Sequence, residues 1–269
     1  MTWWCAATDL PWSWTWRPYP GVWLFVALMV AGYTWLRIRR GDRAAVEGWG
    51  GRHVAFFALG TLALWLALDW PIGTLGAGYL ASVHTVQYLL LALVAPPLML
   101  LGFPSDFWQR LDRNSVLWRL ARRFASPLPG FLVYNGVVVT THIPQVVDGL
   151  MVSQWGSFLV DTSWFVAGLT LWWPVLAPDG VGRTSPLGKI GYLFASTIIP
   201  TAPAMFLVFA DYPVYAIYEK APRVGEFTAT SDQQLAGLLM KLAADPILWV
   251  AMTVLFFRWS REQNQDEPV

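Results

Sequence analysis

The sequence predicts an all-α, polytopic integral membrane bundle of seven transmembrane helices, N-terminus out and C-terminus in, with one cytoplasmic interfacial amphipathic helix. Three observations carry that expectation. Only 13% of the 269 residues are charged and 56% are hydrophobic, which is about half the charged share of a soluble domain. The apolar residues fall in continuous runs, not in the weak alternation of a membrane barrel. Lys and Arg gather between alternate runs, and that bias sets orientation.

A spanning helix needs about 20 mostly apolar residues. Seven stretches qualify, at 22–38, 53–70, 80–101, 129–143, 155–177, 187–210 and 235–259, the fourth being the shortest. Basic residues follow the first (Arg37, Arg39, Arg40, Arg43), the third (Arg110, Arg113, Arg119, Arg122, Arg123), the fifth (Arg183, Lys189) and the seventh (Arg258, Arg261). The opposite loops 71–79 and 144–154 hold no Lys or Arg, and loop 211–234 offsets Lys220 and Arg223 with Asp211, Glu219, Glu226 and Asp232. Seven spans and the charge rule agree, with the N-terminus outside and the C-terminus inside; a bacterial-type plasma membrane is the expected location.

The whole chain, 1–269, reads as one membrane domain. Residues 1–21 lack the basic start and clean apolar stretch of a signal peptide, and contain Pro11, Pro18 and Pro20. They are expected as an exposed, aromatic-rich arm. In 105–124, Phe107, Leu111, Leu117, Leu120 and Phe124 recur at roughly helical spacing with arginines between, the pattern of an interfacial helix lying on lipid. The tail 262–269 is polar and expected to be disordered. Pro96 and Pro97 should kink the third span. The lone Cys5 excludes an intrachain disulfide, and a net charge of +1 leaves no nucleic-acid footprint.

No phosphate-binding loop, dinucleotide turn, nucleophile elbow or zinc motif is present. The chemistry must come from polar residues placed in or near lipid, where each is costly and needs a reason. His84 lies about one turn into the third span, with Gln87 and Tyr88 on the same face. His142 ends the fourth span, Asp161 lies about two turns into the fifth, and Asp232 and Gln233 open the seventh. Met205 and Met240 sit toward the outer ends of their spans. Topology alone therefore brings His84, His142, Asp161, Met205 and Met240 to similar depth, a donor set that suits copper, with Cu(I) favouring the softer ligands. The plainer readings are that these histidines hydrogen-bond neighbouring helices and that the methionines are packing. Lys241 and Asp245, spaced i,i+4, read as a structural ion pair.

Four segments in order, SVHTVQYLLLALVAPPLMLLGFP (82–104), THIPQVVD (141–148), AGLTLWWPVLAP (167–178) and SDQQLAGLLMK (231–241), resemble the CtaG family of cytochrome c oxidase assembly factors. The resemblance runs from the second span to the seventh. It implies seven helices and a non-enzymatic protein that matures a haem–copper oxidase by aiding copper delivery at the outward-facing metal centre. It also implies an oxidase subunit, and a copper donor protein, as partners beside membrane lipid. His84, Gln87, His142, Asp232 and Gln233 match family positions. Family members often carry a further His where Tyr88 stands, and another near Asp161. The three His of this chain leave a two-His site completed by Asp161, Met205 or Met240. Three other functions stay open: a metal-free membrane chaperone for an immature oxidase subunit, a bis-histidine haem protein, and a transporter.

Overall fold

A computed structural model describes residues 2–41, 49–182 and 184–265. The described residues are all-helical, and no strand occurs among them. Arg43 and Arg183, and the tail beyond Gln265, lie outside them. Six stretches are long and apolar enough to cross a membrane: Pro20–Arg39, Gly51–Leu68, Ala81–Leu101, Gln154–Leu176, Pro186–Phe209 and Ala229–Asn264.

The first two are α1 (Pro20–Gly41) and α2 (Gly51–Leu68). A short α3 (Ile72–Gly78) leads into the third, which is composite: α4 (Ala81–Leu89), a π-helical turn (Leu90–Val94) and α5 (Ala95–Leu101). The expected kink is this π turn. Pro96 and Pro97 have no N–H to return to the carbonyls of Ala92 and Leu93, and the wider turn accommodates the lost ladder.

The expected interfacial helix is two helices, α6 (Ser105–Gln109) and α7 (Val116–Phe124). A polar turn divides them: Asp112 Oδ1 accepts from Asn114 N, and Ser115 Oγ caps α7 by accepting from Trp118 N. Helix-competing side chains at 112–115 outweigh the apolar periodicity across the break.

The fourth stretch forms α8 (Pro127–Thr140), of only 14 residues. It rises about 21 Å, short of the roughly 30 Å hydrocarbon layer. Pro144 is the reason: it holds Ile143 extended, at φ −71° and ψ 123°, as a residue before proline is held. The chain then turns into α9 (Pro144–Leu150).

Next come α10 (Gln154–Leu176), α11 (Pro186–Phe209), a one-turn α12 (Ala216–Lys220), α13 (Ala229–Leu242) and α14 (Ala244–Gln265). The last two form one long rod that starts earlier than expected, because Thr228 and Ser231 build a capping box at its N-terminus. Pro246 withholds the donor that Leu242 O needs, and the rod breaks at Ala243. The polar tail, expected to be disordered from residue 262, is helical as far as Gln265, and its remainder lies outside the described residues.

Helix α10 is the centre, packed against α5, the π turn and α8, while α11 joins α8 to α13 and α14. Helix α1 leans mainly on α2, with Tyr33 and Phe25 also reaching Phe103 and Phe158, and 11% of its span is buried. Leu24, Leu28, Leu59, Phe206, Phe209, Val250 and Phe257 face outward, the surface a lipid-bathed bundle presents.

The N-terminal arm is exposed over most of residues 9–18 but not at its start. Trp4 and Cys5 are each 1% exposed. Gln154 Oε1 accepts from the backbone N–H of Trp3 and Trp4 at 2.6 and 3.3 Å, and Ala7 N donates to Met151 O. Rings of Trp3, Trp4 and Phe158 interlock. Burial of these indoles against α10 outweighs the expected exposure there; among the described residues of the arm, Leu10, Trp14 and Trp16 are the strongly exposed large apolar ones.

Helices α10 and α5 cross closely at Gly168, where a Cβ would lie 2.3 Å from Ala92 O and 2.6 Å from Pro96 Cγ. Gly168→Leu should therefore destabilise the bundle by at least about 1–3 kcal/mol. A thermal unfolding scan of the detergent-purified variant checks this, and an unchanged midpoint would refute the crossing.

Candidate functional site

The two ends of the bundle differ. At one end Tyr33 OH reaches Gly102 O, Trp173 Nε1 reaches Ala121 O, and Lys189 Nζ donates to Val175 O. This end carries the arginines of α1, α7 and α14. The opposite end holds the N-terminal arm and nearly all of the polar residues singled out above.

Construction of that end begins with Asp232 on α13. Its carboxylate accepts from Ala81 N at 2.6 Å, from Ser82 N at 3.3 Å and from the Ser82 hydroxyl. It thus caps α4 from a neighbouring helix, satisfying N–H groups that a helix start leaves free. Gln233 fixes the next loop: its Oε1 accepts from Val214 N, and its Nε2 donates to Tyr212 O. Asp148 accepts from Ala216 N and Ile217 N, holding α12 in place. Tyr215 OH then donates to His142 O, and Tyr218 OH to Gly76 O.

These contacts enclose a cavity of about 30 Å³ whose walls include His84, Tyr88, His142, Trp164, Tyr215 and Tyr218. One water-sized particle fills it, and a porphyrin is far larger than this space.

Both histidines are held in one tautomer by what stands behind them. Trp4 Nε1 donates to Asp161 Oδ2 at 2.8 Å, and Gln87 Nε2 donates to Asp161 Oδ1 at 3.0 Å. With its nitrogen committed, Gln87 turns Oε1 to His84 Nδ1 at 3.1 Å. An amide oxygen only accepts, so the His84 proton sits on Nδ1. His142 Nδ1 lies 2.7 Å from Val138 O, and a carbonyl likewise only accepts, so this ring too is protonated at Nδ1. Each Nε2 keeps its lone pair, and neither has a hydrogen-bond partner among the described residues. A ring N–H anchored to an acceptor is how proteins orient a metal-binding imidazole.

Of the five expected ligands, His84 and His142 line this cavity and the other three do not. Asp161 is 2% exposed and sits behind His84, satisfied by Trp4 and Gln87. Met240 is one turn deeper than the cavity-lining Ala236 and lines a separate small cavity with Tyr134, Lys241 and Asp245. Met205 is about 200° round α11 from the cavity-lining Leu207. No group of three or more His, Cys, Asp or Glu is placed to hold a metal among the described residues. Tyr88 closes the floor, its hydroxyl 2.7 Å from that of Tyr134. The expected pair forms between Lys241 Nζ and Asp245 Oδ2 at 2.7 Å, and Lys241 also donates to Thr201 Oγ1.

Sequence reasoning missed Trp4, Asp148, Trp164, Tyr215 and Tyr218. Asp148 stood in a motif already singled out, THIPQVVD. The other four carried no local signal, because aromatic residues are abundant in this chain.

The fold and site define an all-helical membrane-protein class with a small two-histidine cavity near one end. The sequence model of the cytochrome c oxidase caa3 assembly factor family (Caa3_CtaG) matches residues 31–262, and the chain belongs to that family. No curated protein and no solved structure matches it significantly.

Only three histidines occur in the chain, so nitrogen-15 correlation spectra of the histidine-labelled protein resolve them individually. His84 and His142 should both show the Nδ1–H tautomer. Asp161→Asn removes the fixed orientation of Gln87 and should mix the tautomers of His84 while leaving His142 unchanged. A His84 signal indifferent to that substitution would break the relay.

Proposed function

We propose that this family member matures a haem–copper oxidase of a bacterial-type plasma membrane by receiving Cu(I) between His84 and His142 and passing it to an oxidase subunit docked at that end. Copper is cargo, supplied by a copper donor protein, and no catalytic step is assigned to the chain. The observation that carries the reading is a pair of histidines lining one water-sized cavity, each with its Nδ1 committed to an acceptor and its Nε2 without a hydrogen-bond partner among the described residues. Two neutral imidazoles in an aromatic box suit a soft monovalent ion better than a hard divalent one. A sparse donor set also suits cargo that must leave.

The topology belongs to the same proposal. With α8 counted as a short fourth crossing there are seven spans, and the arginines of α1, α7 and α14 lie on the cytoplasmic side. The arm and the two-histidine cavity then face outward, toward an outward-facing copper centre.

One observation favours a second reading, a metal-free chaperone that holds an immature oxidase subunit: among the described residues no third His, Cys, Asp or Glu joins the two histidines. Anaerobic titration of the reduced, detergent-purified protein with Cu(I) against a competing chelator separates the two. About one copper per chain is expected, weakened tenfold or more (about 1.4 kcal/mol) by His84→Ala and by His142→Ala. No competitive binding by the unsubstituted protein would leave the chaperone reading standing.

Orientation is tested with a membrane-impermeant maleimide. Trp14→Cys should label in intact cells, and Ser260→Cys only after permeabilisation; the reverse pattern would overturn the topology. Cys5 does not compete for the label, because it is buried and burial pushes its thiol up, away from the reactive thiolate.

A further inference from the structure

Helix α7 has three faces where an ordinary surface helix has two. Successive residues of a helix are about 100° apart, which puts Trp118, Ala121 and the following Ala125 on one side. All three are buried, and the Ala121 carbonyl accepts from Trp173 Nε1 at 2.6 Å. That face is fixed to the bundle. A second sector holds Val116, Leu120 and Leu117, all exposed, Val116 to 62%. A third holds Arg122, Arg119 and Arg123, also exposed. None of these three arginines has an ion-pair partner among the described residues, whereas Arg110 of the preceding turn pairs with Asp106.

The bundle contact leaves side by side an apolar sector and a basic sector that is unpaired among the described residues. Leu128 and Leu132, at the start of the adjoining α8, are exposed as well, so the apolar sector leads into the lipid-facing wall of the bundle. We infer that α7 is a binding surface for anionic phospholipid: Val116, Leu117 and Leu120 enter the acyl region, and Arg119, Arg122 and Arg123 hold phosphodiester headgroups. Guanidinium matches phosphate oxygens in a planar fork, and basic side chains beside a membrane are attracted to anionic headgroups within about a Debye length. An acidic protein partner would answer the arginines but not the three apolar side chains beside them. The inference needs no copper and holds for whichever leaflet bounds this end.

Native mass spectrometry of the delipidated, full-length protein, titrated with phosphatidylglycerol and with phosphatidylcholine of the same acyl chains, tests it. The first phosphatidylglycerol should bind at least threefold more tightly than phosphatidylcholine, and the preference should shrink as ionic strength rises. R119Q/R122Q/R123Q should abolish the preference, and R119K/R122K/R123K should keep most of it. All three side chains are exposed, so helix content by circular dichroism should be unchanged; if the triple variant fails that check, the single Arg122→Gln carries the comparison and should reduce the preference. Equal binding of the two lipids by the unsubstituted protein would overturn the proposal, and so would a preference that survives the substitutions to glutamine.

Discussion

A carboxylate inside a helical bundle must find donors at both oxygens, because an unpaired buried charge costs several kcal/mol, on the order that breaking a buried pair costs. Asp161 meets that requirement with two side chains from distant parts of the chain, Trp4 and Gln87. The consequences spread in both directions. Toward the surface, the indole of Trp4 carries the N-terminal arm down onto α10, where Gln154 and Met151 hold its backbone. Toward the cavity, Gln87 has its amide direction settled and in turn settles the proton on His84. One acid therefore links the arm, two helices and a histidine that lines the cavity.

A second constraint is proline. Each departure from a straight span coincides with a missing N–H: the π turn before Pro96 and Pro97, the early end of α8 before Pro144, and the break at Ala243 before Pro246. Two of these serve the site. Ending α8 at Thr140 places His142 in a turn, where its ring reaches back to Val138 O and its own carbonyl accepts from Tyr215. The π turn lies one turn below Tyr88 and lets α5 meet Gly168 of α10 closely. Asp232, Asp148 and Gln233 then tie the neighbouring helix starts and loop together. Each does so by accepting from backbone N–H groups, which lipid cannot satisfy.

Much of this was legible beforehand. Membrane character, six of the seven apolar stretches as long helices, the family, and the depth of His84, His142 and Asp161 follow from composition, run length and motifs, because lipid imposes a long, locally encoded pattern. The Lys241–Asp245 pair followed from i,i+4 spacing alone. The length of α8, the split between α6 and α7 and the burial of the arm did not follow, since each depends on a local breaker or a distant contact outweighing periodicity.

By itself the sequence determined which runs are long and apolar enough to cross a membrane and which ionisable groups share a level along them, since hydropathy and helical rise are one-dimensional properties. Which of them meet was decided only by tertiary structure. Rotation of α11 about its axis turns Met205 away from the histidines, Met240 lies one turn beyond the cavity-lining Ala236 of α13, and the reach of Trp4 across to α10 makes Asp161 a support for His84 rather than its companion in the cavity. The rotation of one helix against another is set by packing at its crossings, such as Gly168 on Ala92, and no periodicity within a single helix encodes it.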